Sequence, residues 1–397
     1  MRSWISAVLL STSLLGCSGG ADEPKEIVVG QYGSLTGSEA TFGISTKNGI
    51  ELATAEQNAK GGVGGIQIRM VVEDDQGKAD EAATAVSKIL SRDRPVAVLG
   101  EVASTNSLAA APLLQTAGVP MISPSSTNPK VTEKGDFIFR VCFIDPFQGT
   151  AAAKFAYTTK GLRNVAILKD VKSDYSTGLA QYFTETFTSL GGAIAGEEAY
   201  AKQDIDFKAQ LTSLIAKGPD AFFIPGYYTD VGLIARQARE LGFQGPLIGG
   251  DGWDSEELVK IGDKAIIGAY YTNHYSVDDP NPVVQDFIKK YEEKYKAKPD
   301  GLAALGYDAA KILYGSMEKV AADPRVLAGL SDRSSVPATE GDRKAARAAL
   351  RDAIAATKDY PGVTGVITID DKRNAQKAAV VVEVTAEGTK FVESIAP

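Results

Sequence analysis

Short apolar runs alternate with longer amphipathic stretches over most of this chain. Runs rich in β-branched residues at 27–30, 66–72, 96–100, 119–123, 165–169, 221–225, 247–250 and 266–271 predict strands. Between them, apolar positions recur at helical spacing over 44–58, 79–91, 107–116, 177–190, 207–216 and 231–241. Strand–helix alternation of this kind indicates βαβ units and parallel sheets. Such sheets are covered by helices on both faces, so their strands read apolar throughout. Gly191-Gly192 after Leu190, and Gly242 after Leu241, stand where a helix end calls for a left-handed residue. Beyond residue 282 the pattern turns to consecutive helices at 283–296, 303–322 and 343–357, with a polar loop expected at 331–342. Two more strands are expected at 366–369 and 378–384.

The fold class read from this pattern is α/β, with two lobes, each a mostly parallel sheet flanked by helices. A chain of 397 residues exceeds one ordinary domain and suggests two. Open α/β sheets bind ligands beyond the carboxyl ends of their strands. Two such lobes facing each other would form a ligand cleft.

The first residues bear on compartment. Arg2 precedes an apolar stretch at 4–15 that is too short for a spanning helix, which needs roughly 20 residues. It fits a signal peptide. Leu14-Leu15-Gly16-Cys17 has the form of a lipoprotein cleavage site, with Cys17 as the lipid attachment point and polar 18–26 as a tether. Cys142 is then left without a partner and is expected to act as a small buried apolar residue. A net charge of −8 without a basic block argues against nucleic acid.

Enzyme chemistry finds little support. His274 is the single histidine, which leaves Ser-His-Asp and Cys-His arrangements dependent on it alone. Among Tyr270, Tyr271 and Tyr275 it reads as a surface or hinge residue. No Cys/His cluster suits zinc, and no cofactor motif occurs. Glycine-rich 61–65 precedes a strand, whereas a phosphate loop follows one, so it reads as a turn. Asp74-Asp75 is weak evidence for a cation.

Hydroxyl residues at strand ends are the distinctive feature. Segments 101–107 (Glu-Val-Ala-Ser-Thr-Asn-Ser) and 123–129 (Ser-Pro-Ser-Ser-Thr-Asn-Pro) each follow a strand. Free N–H groups at a helix start favour a carboxylate, and hydroxyls add donors without fixed charge. The same residues also cap helices and form turns. The second unit offers Tyr175, Gly226-Tyr227-Tyr228 and Gly249-Gly250-Asp251-Gly252-Trp253, each after a strand or at a helix start. Asp251 is suited to accept from an ammonium. The two sets match the two ends of a zwitterion.

With these residues in view, the chain resembles the periplasmic leucine/isoleucine/valine-binding proteins, type I periplasmic binding proteins. The resemblance runs from Ile27 to Val392. It rests on Gly33-Ser34-Leu35-Thr36-Gly37 with Phe42-Gly43, and on 121–127 (Met-Ile-Ser-Pro-Ser-Ser-Thr) with Asn128-Pro129. Gly306-Tyr307-Asp308-Ala309 and Gly362-Val363-Thr364-Gly365 complete it. It implies a first lobe of 27–146 with 275–360 and a second of 147–274 with 361–397. It also implies that Ser104, Thr105, Ser125 and Thr127 receive a ligand α-carboxylate. Asp251, with Tyr227 beside it, would take the α-ammonium. Tyr175 would close over the ligand, and Phe42 would form an aromatic wall. Some relatives carry Glu at the position of Asp251, and some a disulfide where this chain has Gln76 and Ala103. The implied function is capture of an amino acid by hinge closure and delivery to an ABC transporter permease, without cofactor or catalysis. The implied location is the periplasm or cell surface. A sensor on the same fold, or a binder of a neutral amide or urea, is the alternative.

Overall fold

The computed structural model describes residues 26–331 and 338–397. The proposed leader, Cys17 and all but the last residue of the tether lie outside them. Five parallel strands, β1 (Glu26–Gly33), β2 (Gln67–Asp74), β3 (Ala97–Leu99), β4 (Met121–Ser123) and β5 (Ile138–Arg140), form the first sheet in the order β2-β1-β3-β4-β5. Strands β6 (Asn164–Asp170), β7 (Ala193–Tyr200), β8 (Ala221–Phe223), β9 (Leu247–Gly249) and β10 (Tyr270–Asn273) build the parallel part of a second sheet. After the helical block come β11 (Tyr360–Gly362), β12 (Gly365–Ile369), β13 (Ala375–Gln376), β14 (Ala379–Thr385) and β15 (Gly388–Ile395). The last two complete the second sheet as antiparallel strands, in the order β15-β14-β10-β9-β8-β6-β7. This is the two-lobed α/β architecture the alternating pattern predicts.

Helices α1 (Ala40–Ala59), α2 (Ala79–Lys88) and α3 (Ser104–Ala117) serve the first sheet. Helices α4 (Asp145–Lys154), α5 (Asp174–Ser189), α6 (Lys208–Ile215), α7 (Tyr228–Glu240) and α8 (Glu256–Gly262) serve the second. Helices α9 (Pro282–Tyr295), α10 (Gly301–Val320), α11 (Pro324–Leu330) and α12 (Glu340–Ala355) return to the first lobe, where α10 packs on α1. Gly49 and Gly306 permit that packing. A Cβ at Gly49 would lie 2.0 Å from the Ala303 carbonyl oxygen, and one at Gly306 2.5 Å from that of Thr46.

Several elements escaped the periodicity. Strand β7 is half exposed along its length, so it carries no apolar run. Strand β5 has only three residues. Residues 263–265 form one turn of 3-10 helix and 266–268 a further turn, so the strand expected at 266–271 begins at Tyr270. The polar segment expected to be a loop at 331–342 includes the first turn of α12, opened by a Thr339–Asp342 capping box, while 332–337 lie outside the described residues. Gly62 makes the glycine-rich segment a tight turn, its Cβ position 1.9 Å from the Ile66 carbonyl oxygen at φ +76°.

The chain leaves the first sheet after β5, enters the second at β6, leaves it after β10 for the helical block, and returns to it at β14. Strands β11 to β13 form a small sheet of their own, in the order β11-β12-β13. The Asp308 carboxylate on α10 accepts from the N–H groups of Val363 and Thr364, both at 2.8 Å. Thr132 bonds Asn374 at 3.0 Å, and the Arg140 N–H reaches the Arg373 carbonyl at 3.2 Å. Cys142 is fully buried, and burial pushes its thiol up to about 12. Among the described residues no helix is long and apolar enough to cross a membrane.

Candidate functional site

The loops after β3 and β4 face those after β6, β8 and β9, so the carboxyl ends of both sheets meet at the cleft. Between them lies a small, nearly filled cavity. Phe42, Ser104, Ser125, Thr127, Tyr175, Tyr227 and Asp251 line it, together with Val102, Gly252 and Leu302. Phe42, Ser104, Ser125, Thr127, Tyr175 and Asp251 are each at most 6% exposed, so the lobes are closed on each other.

Thr105 is placed differently. Its hydroxyl accepts from the Asp174 N–H at 3.0 Å and donates to the Asp174 carboxylate at 3.1 Å, joining α3 to α5 across the cleft.

The hydroxyl clusters divide into two kinds. Ser123 and Ser126 donate to the Glu101 carbonyl at 2.8 and 2.9 Å, and Ser107 pairs with Ser126 at 2.8 Å. These three fasten the β3 and β4 loops together. Ser104, Ser125 and Thr127 face the cavity, and the buried Ser125 hydroxyl has no protein partner. Helix α3 begins at Ser104 and the Ser107 N–H bonds the Ala103 carbonyl. The N–H groups of Ser104, Thr105 and Asn106 therefore precede the intrahelical ladder. Buried Arg140 braces the second loop through the carbonyls of Ser126 and Asn128, the latter at 2.8 Å. Its place on a strand too short to show periodicity hid it in the sequence.

On the opposite wall, Asp251 opens a short turn directly after β9. Gln148 on α4 donates to one of its carboxylate oxygens at 2.8 Å, and the His274 Nε2 meets the other at 3.0 Å. His274 is thus not a surface residue: it is 3% exposed and stacked on Phe143 with ring centroids 3.6 Å apart. Burial lowers its pKa to about 4, so it is neutral at pH 7. With Nε2 donating to Asp251, Nδ1 carries no proton and no partner. Neither Gln148 nor His274 was legible as a partner of Asp251, because the three residues lie on separate elements.

Aromatic rings shape the remaining wall. Tyr175 stacks on Tyr227 at 5.2 Å with planes 8° apart, and its hydroxyl accepts from the Gly252 N–H at 3.1 Å. Phe42 meets Tyr227 and Tyr228 edge-on at 5.7 and 4.9 Å. Behind Thr127 lies Asp145, fully buried, with the Thr127 hydroxyl as its neighbouring donor. Burial pushes this group up to about 8, so it remains protonated at neutral pH and adds little charge to the cavity wall.

The acidic pair flagged as a weak cation candidate is engaged by protein. Asp74 accepts from the N–H groups of Leu35 and Thr36, at 2.9 and 3.2 Å. Asp75 accepts from Ser34 and from the Gly77 N–H, at 3.1 and 2.9 Å. Among the described residues, no group of three or more His, Cys, Asp or Glu is arranged to hold a metal ion.

Comparison with known proteins agrees with this geometry. The profile of the family described as periplasmic binding protein matches residues 26–389. The Leu/Ile/Val-binding protein BraC3 of Rhizobium johnstonii is 31% identical over 330 residues, covering 80% of this chain and 86% of that protein. The crystal structure of the leucine binding protein LivK from Thermotoga maritima is 37% identical, with a TM-score of 0.84 over 94% of this chain and 99% of that one. LivJ of Streptococcus pneumoniae, solved in complex with isoleucine, is 30% identical, with a TM-score of 0.83 over 94% and 100% of the two chains. A Rhodopseudomonas palustris solute-binding protein in complex with benzoate shares the fold at 22% identity, with a TM-score of 0.81 over 94% of this chain and 97% of that one. The chain belongs to the periplasmic binding protein family, among the leucine/isoleucine/valine-binding proteins.

Proposed function

We propose that the cleft captures one free aliphatic α-amino acid, closes over it, and presents the closed form to an ABC transporter permease. The observation that carries this reading is the unequal equipment of one small cavity. Ser125, without a protein partner, and the start of α3 supply donors on one wall; Asp251 supplies an acceptor on the other. In this reading Ser104, Ser125 and Thr127, with the Thr105 N–H, take the carboxylate. Asp251 takes the ammonium beside Tyr227, and Tyr175 closes the site. Phe42, Val102 and Leu302 enclose the side chain.

The proposed lobes are 27–146 with 275–376 and 147–274 with 377–397, the last crossing placed after the small sheet. Closure by rotation about three connections fits hinge motion. Lipidation at Cys17 and attachment to a membrane facing the periplasm or cell exterior belong to the same proposal. Isothermal calorimetry with leucine, isoleucine, valine, alanine and benzoate tests the cargo. Leucine, isoleucine or valine should bind, whereas leucinamide and 4-methylpentanoate, each lacking one charge, should bind at least ~100-fold more weakly. Equal binding of 4-methylpentanoate and leucine would remove the ammonium from the reading.

A further inference from the structure

The two lobes are joined by an ion pair distinct from the cavity residues. Lys202 follows β7 in the second lobe. Its ammonium donates to the Glu39 carboxylate at 2.6 Å and to the Gly77 carbonyl at 2.8 Å, both in the first lobe. Glu39 is 2% exposed, so closure removes its charge from water. The second lobe also brings Asp170 and Asp230 toward it. Burial raises all three carboxyls, and Lys202 acts in the opposite direction on each. Closure without Lys202 would press a buried carboxylate against two further acids.

We propose that Lys202 is the positioning residue that locks the closed cleft, through its bond to Glu39. It does not touch the cavity, so it governs how long the lobes stay shut rather than what they hold. The proposal rests on the closed cleft being the ligand-holding state. Neighbouring contacts between the lobes are uncharged at one or both partners. Thr229 donates to the Ser38 carbonyl at 2.6 Å, Asn128 to the Asp174 carbonyl at 2.8 Å, and Thr41 pairs with Ser255 at 2.9 Å.

The Thr41–Ser255 pair provides a test that needs no ligand. In T41C/S255C the two thiols meet only when the lobes close, so with a fixed concentration of oxidised glutathione as the two-electron oxidant the rate of disulfide formation reports closure. Adding K202M should slow that rate ~10-fold or more, K202R should preserve it, and E39Q together with K202M should recover part of it. In the chain without added cysteines, leucine should leave K202M ~10–100-fold faster than wild type, with the association rate within a factor of about three. An unchanged disulfide rate in K202M overturns the lock. So does a loss of affinity carried by the association rate, or a melting temperature that K202M lowers as much without leucine as with it. Wild type failing to bind leucine would count against the cargo reading alone, since the disulfide rates still decide the lock.

Discussion

Replacing Asp145 by Asn separates a buried acid from a buried ion pair. The side chain is fully buried, the Thr127 hydroxyl is its neighbouring donor, and burial moves its pKa from 3.8 to about 8. Between these values the folded protein holds a proton that the unfolded chain has released. Stability contributed by this group is therefore present at acid pH and lost as pH rises toward 8. The loss is about 1.4 kcal/mol per pH unit, or roughly 4 kcal/mol by pH 7. Asn has nearly the shape of the protonated acid and does not titrate. Urea unfolding of wild type and D145N at pH 5 and pH 7 should show the variant gaining about 3 kcal/mol on wild type between the two. A difference that stays constant would show that Asp145 does not hold an excess proton. A change of opposite sign would show an ionised Asp145 paired with Arg140, whose guanidinium is the nearby buried cation.

Three further expectations follow from the cavity wall. D251A should weaken leucine binding ~30-fold or more, because Gln148 and His274 would then point at an empty place; calorimetry showing unchanged affinity removes Asp251 from the site. G250A should lower affinity by at least ~10-fold at little loss of secondary structure, since the new Cβ would lie 2.5 Å from the Tyr175 hydroxyl and 3.1 Å from the Gln148 amide. Circular dichroism and calorimetry on one sample decide it. His274 titrates with the opposite sign to Asp145: its folded pKa of about 4 lies below the ordinary 6.5, so its contribution is complete above 6.5 and lost as pH falls to 4. H274Q should remove roughly 3 kcal/mol of that acid sensitivity, read from the difference between the two unfolding profiles.

The fold was legible wherever burial on both faces made strands uniformly apolar, as at Val98 and Leu99 or Phe222 and Phe223. It was illegible where a strand is half wet, as β7 is, or only three residues long, as β5 is. Hydroxyl clusters marked the cleft, yet local sequence could not tell Ser125, which faces the cavity, from Ser126, which ties two loops together. That difference depends on where the Glu101 carbonyl points. Lys202 and Glu39 were invisible for a related reason: a charge on a polar surface loop acquires meaning only when another lobe arrives opposite it.

The three connections between the lobes also constrain synthesis. The first lobe needs α9 to α12 to cover the sheet begun at β1, and the second needs β14 and β15 to complete the sheet begun at β6. Neither lobe is contiguous, so neither can be completed as the chain emerges in order. Until residue 379 has been made, β10 presents an unpaired edge, and such edges recruit other strands. A nascent or truncated chain ending before β14 should therefore be the form most in need of a chaperone.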